Sequence, residues 1–310
     1  MNHAVETHAL GRNFGPRAAL SDVTLSVRDG EMFGLLGPNG SGKTTLFRIL
    51  STLLAPTSGT ARIGGHDVVH EAVQVREHLG VVFQSPALDP QLTVAENLRC
   101  AGHLYGLRGA ELEERLRSSL HALRVADRLD DRVQTLSGGL QRRVEIAKSL
   151  LPRPRVLLLD EPSTGLDPAA RAGLRLALDE LRAASGVTIV VTTHLLDEAE
   201  RCDRVAVLHR GRLVACEAPS TLRAGLGTDV ALVAGEDLAA LAAKVATDLG
   251  WPAEVRGEKL RVEVPTGDSG ASRLVNALAG AAHTITVGRP TLEDVFLKLT
   301  GESWGAGEES

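Results

Sequence analysis

The stretch from Gly37 to Thr44, GPNGSGKT, fits the phosphate-loop pattern G-x-x-x-x-G-K-[ST] without a mismatch, and no other feature restricts the fold as strongly. Gly37, Gly40 and Gly42 lack a Cβ, so the backbone can turn through positive φ and approach a ligand closely. The N–H groups of Pro38–Thr45 (Asn39, Gly40, Ser41, Gly42, Lys43, Thr44 and Thr45; Pro38 has none) then face inward as an anion nest at a helix start. Lys43 adds a point charge for β- and γ-phosphates, and Thr44 offers a hydroxyl to Mg²⁺. The flanks agree: residues 32–36 (MFGLL) suit a buried strand, and residues 45–50 (TLFRIL) continue as an apolar helix. The chain is expected to bind a nucleoside triphosphate within an α/β fold.

Bulk properties narrow the class further. The 310 residues suffice for one large domain or two ordinary ones. Lys+Arg 34 against Asp+Glu 39 leaves a net charge of −5, so no overall basic field recruits nucleic acid. Three scattered cysteines suggest neither a disulfide framework nor a metal site, which fits a reducing compartment. No basic-plus-apolar leader opens the chain, and no apolar run approaches the roughly 18 residues of a membrane helix. A water-soluble chain is expected.

Along the chain, residues 4–36 alternate polar and apolar positions with turns at Gly11, Gly15-Pro16 and Asp29-Gly30, which predicts an antiparallel hairpin region. Phe14 lies within it, either as a packed strand residue or as a stacking platform for an adenine ring. Residues 79–83 read as a buried strand ending at Gln84, where α/β folds place ligand-contacting groups. Residues 93–130 carry Leu, Ala and charges at helical spacing, which predicts an inserted helical subdomain. Ser137, before Gly138 and Gly139, reads both as a helix N-cap and as a second anion-binding helix terminus. Residues 156–159 (VLLL) suit a strand buried on both faces, tipped by Asp160 and Glu161. Asp160 there can hold Mg²⁺, and Glu161 can orient or deprotonate an attacking water. A third core strand, residues 187–192, runs into His194, placed to contact a γ-phosphate.

Taken together, these residues resemble the ATP-binding subunit of an ABC transporter across residues 4–220 or so. The resemblance makes Gly37–Thr44 Walker A, Gln84 the Q-loop glutamine, residues 136–139 (LSGG) the signature, and residues 156–161 Walker B with its catalytic Glu161. Ser163–Asp167 becomes the D-loop, with Asp167 among the nucleotide-binding residues. His194 becomes the switch histidine and Phe14 the stacking aromatic. Leu140 departs from the family's glutamine and Phe14 from its more frequent tyrosine. Neither change removes the serine, backbone or stacking contacts. The implied mechanism is a head-to-tail homodimer in which Ser137 and Gly139 of one copy cap the ATP held by Lys43 of the other. The implied cofactors are ATP and Mg²⁺, with Thr44, Gln84 and Asp160 on the magnesium side, and the implied partner is a separate membrane permease. Such a chain would sit in the cytoplasm, on the inner face of the cell membrane through that permease, and Gln84–Tyr105 would dock it.

The expected fold is a P-loop NTPase core with an antiparallel β subdomain and an inserted helical subdomain (about 93–150), together spanning 1–222. A small α+β domain over 223–301 follows, with the element order β-α-β-β-α-β of a ferredoxin-like unit, then a disordered tail at 302–310. Residues 290–301 (PTLEDVFLKLTG) resemble the closing segment of daunorubicin-resistance-type exporters of drugs and polyethers. The second domain carries no chemistry and reads as regulatory or dimer-stabilising. The rival reading is a soluble ABC ATPase acting on ribosomes, DNA or iron–sulfur assembly. It is disfavoured by the single nucleotide domain, the absence of a long coiled coil and the acidic balance. A P-loop kinase or GTPase would leave the signature and His194 unexplained.

Overall fold

The computed structural model describes residues 3–267 and 269–304. Two compact units divide after Glu217. In the first, β1 (His3–Phe14) and β2 (Arg17–Arg28) form the expected hairpin. The short strand β3 (Met32–Leu36) leads through the phosphate loop into α1 (Lys43–Leu50). Next come β4 (Ser58–Ile63), β5 (His66–Asp67), α2 (Ala72–Glu77) and β6 (Leu79–Val82). The helical segment holds α3 (Val94–Leu104), α4 (Gly109–Ala122) and α5 (Gly138–Ser149). Then β7 (Val156–Asp160), α6 (Pro168–Ser185), β8 (Thr188–Thr193), α7 (Leu196–Ala199), β9 (Arg204–His209) and β10 (Arg212–Glu217) complete the unit.

Two sheets result. The antiparallel one has the order β2-β1-β4-β5, and the larger one runs β10-β9-β3-β8-β7-β6. Within the larger sheet β9, β3, β8, β7 and β6 are mutually parallel, and only β10 runs against its neighbour. A parallel sheet covered on both faces asks for apolar side chains on both, and every residue of β3, β7 and β8 is buried. One core cluster joins both sheets and α1, with Phe33, Phe47, Leu46 and Ile49 among its fully buried members. Expected strand 79–83 ends one residue early, at Val82. Phe83 turns out of the sheet to meet Phe47 edge-on at 5.6 Å between ring centroids.

In α3, Thr93 caps the helix reciprocally with Glu96: the Thr93 hydroxyl accepts from Glu96 N at 3.2 Å, and Glu96 accepts from Thr93 N at 2.8 Å. Gly102 lets α3 approach α4, since a Cβ there would stand 2.2 Å from Leu112 Cδ1.

The second unit starts with α8 (Pro219–Ala224) and contains β11 (Thr228–Ala234), α9 (Leu238–Leu249), β12 (Ala253–Arg256), β13 (Lys259–Pro265), α10 (Gly270–Ala277), β14 (Thr284–Gly288) and α11 (Leu292–Thr300). Its four strands form an antiparallel sheet of order β12-β13-β11-β14. A core of its own contains Val233, Val245, Trp251, Leu260 and Leu274. Arg261 on β13 and Asp294 on α11 are both buried and bond at 2.7 Å. Asp294 also accepts from Thr291 N at 2.8 Å, closing a capping box at the start of α11. Of the tail expected to be disordered, Trp304 packs edge-on against Phe296 at 4.8 Å. Residues 305–310 lie outside the described residues.

Candidate nucleotide-binding site

Strand register puts the site residues on one edge of the parallel sheet. Leu36 is level with Thr193, Asp160 with Thr192, and Val82 with Leu159. The residues that follow each strand, Gly37, Glu161 and His194, therefore leave the sheet side by side, with Gln84 two residues beyond Val82. This is the carboxyl edge, where open parallel sheets bind ligands.

The phosphate loop has the conformation its glycines permit. Gly40 and Gly42 take φ of +77° and +107°. At Gly42 the space is closed as well, because a Cβ would stand 2.8 Å from both Ala19 O and Leu20 Cδ2. Lys43 is buried, its Nζ donating to Gly37 O at 2.6 Å and to Pro38 O at 3.0 Å. The ammonium thus lies over the start of the loop. A cleft of about 320 Å³ is lined by Asn39, Gly40, Gly42, Lys43, Thr44, Thr45 and Glu161. Arg17, Ala18, Ala19, Arg210 and Gly211 complete its wall, and none of these five follows from the motif. Gly37, Pro38 and Ser41 form the base of the loop rather than its lining; the Ser41 hydroxyl is buried beneath it.

Phe14 ends β1 with nearly half its surface exposed, so it is not a packed strand residue. The Arg12 guanidinium lies 4.8 Å from its ring centroid. Phe14 itself does not line the phosphate-loop cleft, whose wall includes Arg17 three residues further along the chain.

The acidic tip is tightly organised. Asp160 is 6% exposed and accepts a 2.5 Å hydrogen bond from Thr192 Oγ1. Burial pushes its carboxyl above the usual carboxylate range; the Thr192 hydroxyl opposes this, and the adjacent Glu161 charge reinforces it. The same Thr192 hydroxyl accepts from Glu161 N at 3.0 Å. Glu161 has φ +43°, an uncommon conformation for a residue with a side chain. Its side chain lines both the phosphate-loop cleft and the cavity that holds Gln84. Glu161 Oε2 accepts from Thr164 Oγ1 at 3.1 Å. It lies 3.3 Å from His194 Nδ1, in an orientation that makes no hydrogen bond.

The remaining expected residues lie elsewhere. Gln84 and Gly138 line a separate cavity of about 550 Å³, which meets the first only at Glu161. Ser137 caps α5, accepting from Leu140 N at 3.4 Å, with Gly138 and Gly139 in the first turn. Gln141 takes up the role of fixing the turn, donating to Val133 O and Leu136 O at 3.1 and 3.0 Å. Asp167 caps α6 through Ala170 N at 2.8 Å. Within one chain, then, the Ser137–Gly139 turn does not line the phosphate-loop cleft.

Several residues at the site escaped the sequence reading. Thr192 is one. Glu198 is another: its carboxylate accepts from Thr193 Oγ1 at 2.5 Å and from the Ser163 hydroxyl, tying the Ser163 turn to the end of β8, just before His194. Arg142 and Glu145 on α5 pair at 2.8 Å with side chains 8% and 6% exposed. The only signal for that pair was two opposite charges three apart in a helix otherwise buried at Val144, Ile146 and Ala147.

A phosphate loop on a parallel sheet, with an acidic strand tip beside it, defines a P-loop nucleoside triphosphatase. The profile described as "ABC transporter" matches residues 20–164. Nod factor export ATP-binding protein I of Cupriavidus metallidurans is 42% identical over 291 residues, covering 93% of this chain and 94% of that protein. Daunorubicin resistance ATP-binding protein DrrA3 of Streptomyces coeruleorubidus is 37% identical over 307 residues, covering 96% of each. Among solved structures, cbiO1 from Clostridium perfringens, part of the ABC transporter complex cbiONQ, has a TM-score of 0.68 at 28% identity, covering 81% of this chain and 97% of that one. The ATP-binding cassette MJ0796, solved as a dimer bound to ADP and Pi, has a TM-score of 0.61 at 29% identity, covering 69% and 98%. The chain belongs to the ABC transporter ATP-binding family, in the branch that holds these export and drug-resistance ATPases. Among the described residues no helix is long and apolar enough to cross a membrane.

Proposed function

We propose that this chain hydrolyses ATP for a separate membrane permease that exports a drug-like or lipid-like compound. The observation that carries the reading is the split of the site. Gly37, Glu161 and His194 share one sheet edge, while Ser137–Gly139 open a helix away from the cleft. A head-to-tail homodimer would unite the halves, with the signature turn of one copy closing over the nucleotide of the other.

In that arrangement Phe14 stacks on the adenine, and the loop N–H groups with Lys43 hold the phosphates. Glu161, which lines the cleft, takes the proton of the attacking water. His194 and Gln84 contact the γ-phosphate side. The Thr44 hydroxyl and Asp160 carboxylate, joined by the Gln84 amide from the adjoining cavity, are hard oxygen donors that would hold Mg²⁺, which would neutralise phosphate charge. The relatives' printed roles, Nod factor export and daunorubicin resistance, support the export reading. The chain would then be cytoplasmic, held at the inner membrane face. The strand order β12-β13-β11-β14 supports a ferredoxin-like reading of the second unit, which would serve as an accessory regulatory or dimer-stabilising domain from about residue 223 to 301.

The test is co-purification of tagged Glu161→Gln chain, with ATP, from detergent-solubilised membranes of its native host. Recovery of a polytopic membrane partner supports the reading. Recovery only from the soluble fraction with ribosomes or nucleic acid contradicts it and favours a non-transport ATPase.

A further inference from the structure

One guanidinium holds the backbone on both sides of Glu161 and just before Gln84. Arg142 Nε donates to Pro162 O at 3.1 Å and Nη2 to Asp160 O at 2.8 Å. Nη1 donates to Phe83 O at 2.6 Å and to Glu145 Oε2 at 2.8 Å. Glu145 in turn accepts from Ala87 N at 2.6 Å, and Lys148 Nζ donates to Ala87 O at 2.6 Å. The residues at i, i+3 and i+6 of α5 therefore grip both ends of segment 83–87, which contains Gln84. Both side chains are buried, at 8% and 6% exposure, so a lost bond leaves a costly buried charge and the full set is favoured.

Two further features make this more than a packing device. Glu161 sits at φ +43°, and a strained backbone persists only where its surroundings over-determine it. Arg142 fixes the carbonyl before that residue and the one after it. The same helix starts with Ser137-Gly138-Gly139, so a displacement of segment 83–87 must act on the Glu161 peptide and on the signature turn through one rigid body.

We propose that Arg142, held by Glu145, is the positioning residue that couples the Gln84 segment to the catalytic orientation of Glu161. The proposal rests on the functional reading above, in which Gln84 lies on the permease side and Glu161 is the base. Its signature is a split of kinetic constants. Arg142 lines the cavity that holds Gln84 and meets the phosphate-loop cleft at Glu161, but not that cleft itself, so its loss should act on rate more than on nucleotide affinity. A shift of Glu161 by about 1 Å costs roughly 100-fold in rate.

Two variants test this, each measured for ATP affinity with a fluorescent analogue, for steady-state ATPase, and for folding by circular dichroism. Arg142→Lys keeps the charge but offers a point donor in place of a planar fork, too compact to serve carbonyls at 83, 160 and 162 together. The double variant Arg142→Met with Glu145→Leu removes both charges at once, leaving no orphaned buried ion. The expected result for both is ATP affinity within about twofold of wild type and kcat lowered by 10- to 100-fold. Folded variants with wild-type kcat overturn the proposal. So does a loss of affinity and rate together, in proportion to the unfolded fraction, because that marks a structural role alone. Wild-type chain that neither binds nor hydrolyses ATP would overturn the functional reading and the proposal with it.

Discussion

Thr192→Val isolates a single hydroxyl at the centre of the site. Thr192 is fully buried, and its Oγ1 donates to Asp160 Oδ1 at 2.5 Å while accepting from Glu161 N at 3.0 Å. Valine keeps the shape and β-branching but replaces the hydroxyl with a methyl group. Asp160 then loses a charge-assisted hydrogen bond worth about 1.5–3 kcal/mol. Glu161 N retains the Thr192 carbonyl at 3.2 Å, so its loss is partial, adding up to about 1 kcal/mol. A total of about 1.5–4 kcal/mol follows for Val, against about 1 kcal/mol for Ser, which keeps the hydroxyl and drops one methyl. Denaturant unfolding by far-UV circular dichroism is the assay, because the only two tryptophans, Trp251 and Trp304, both lie in the second unit and report on that unit. ATPase should fall at least tenfold in Val and within a few-fold in Ser, since the hydroxyl fixes both carboxylate-bearing residues. Val and Ser variants equal to one another in stability and rate would refute the reasoning.

Phe14→Ala should weaken ATP binding by roughly 5- to 150-fold, the value of one base-stacking contact of about 1–3 kcal/mol, with Phe14→Tyr unchanged. Titration with a fluorescent nucleotide checks it, and unaltered affinity would remove Phe14 from the site. Asp294→Ala should destabilise the second unit by about 2–3 kcal/mol at neutral pH, because the α11 capping box opens and buried Arg261 loses its 2.7 Å partner, keeping only Glu263 at 3.1 Å. Burial alone would raise the Asp294 carboxyl, but the Thr291 N–H and the Arg261 guanidinium outweigh it and hold it below the usual range. The stabilisation is therefore fully present above the unfolded value of about 4 and is lost as pH falls through the lower folded value. Tryptophan fluorescence in urea should show the difference between wild type and variant closing only in that acidic window.

The parts of the fold legible in the sequence were those written locally. Residues 156–159 suit a doubly buried strand and form one, and residues 238–249, which read as a helix in the sequence, form α9. Residues 272–279 read as a helix in the sequence, whereas α10 covers Gly270–Ala277, because the chain leaves the helix at Leu278 ahead of Gly280 at φ +78°. The phosphate loop, Asp160, Glu161 and His194 were readable because strand tips of a parallel sheet converge by topology. Arg142, Glu145, Thr192 and Glu198 were not. Each looks like an ordinary helix-surface charge or β-strand threonine until non-local packing buries it and supplies its partners. The cleft wall at Arg17 and Arg210 likewise depends on two hairpins far apart in sequence meeting over the loop.

The central claim, that two copies close around ATP and that Glu161 then removes the proton from water, is tested most directly with Glu161→Gln. Sedimentation of this variant, with and without Mg-ATP, should show an ATP-dependent dimer that persists because turnover is lowered at least 100-fold. Unimpaired steady-state hydrolysis, or a monomer at saturating ATP, would contradict the account.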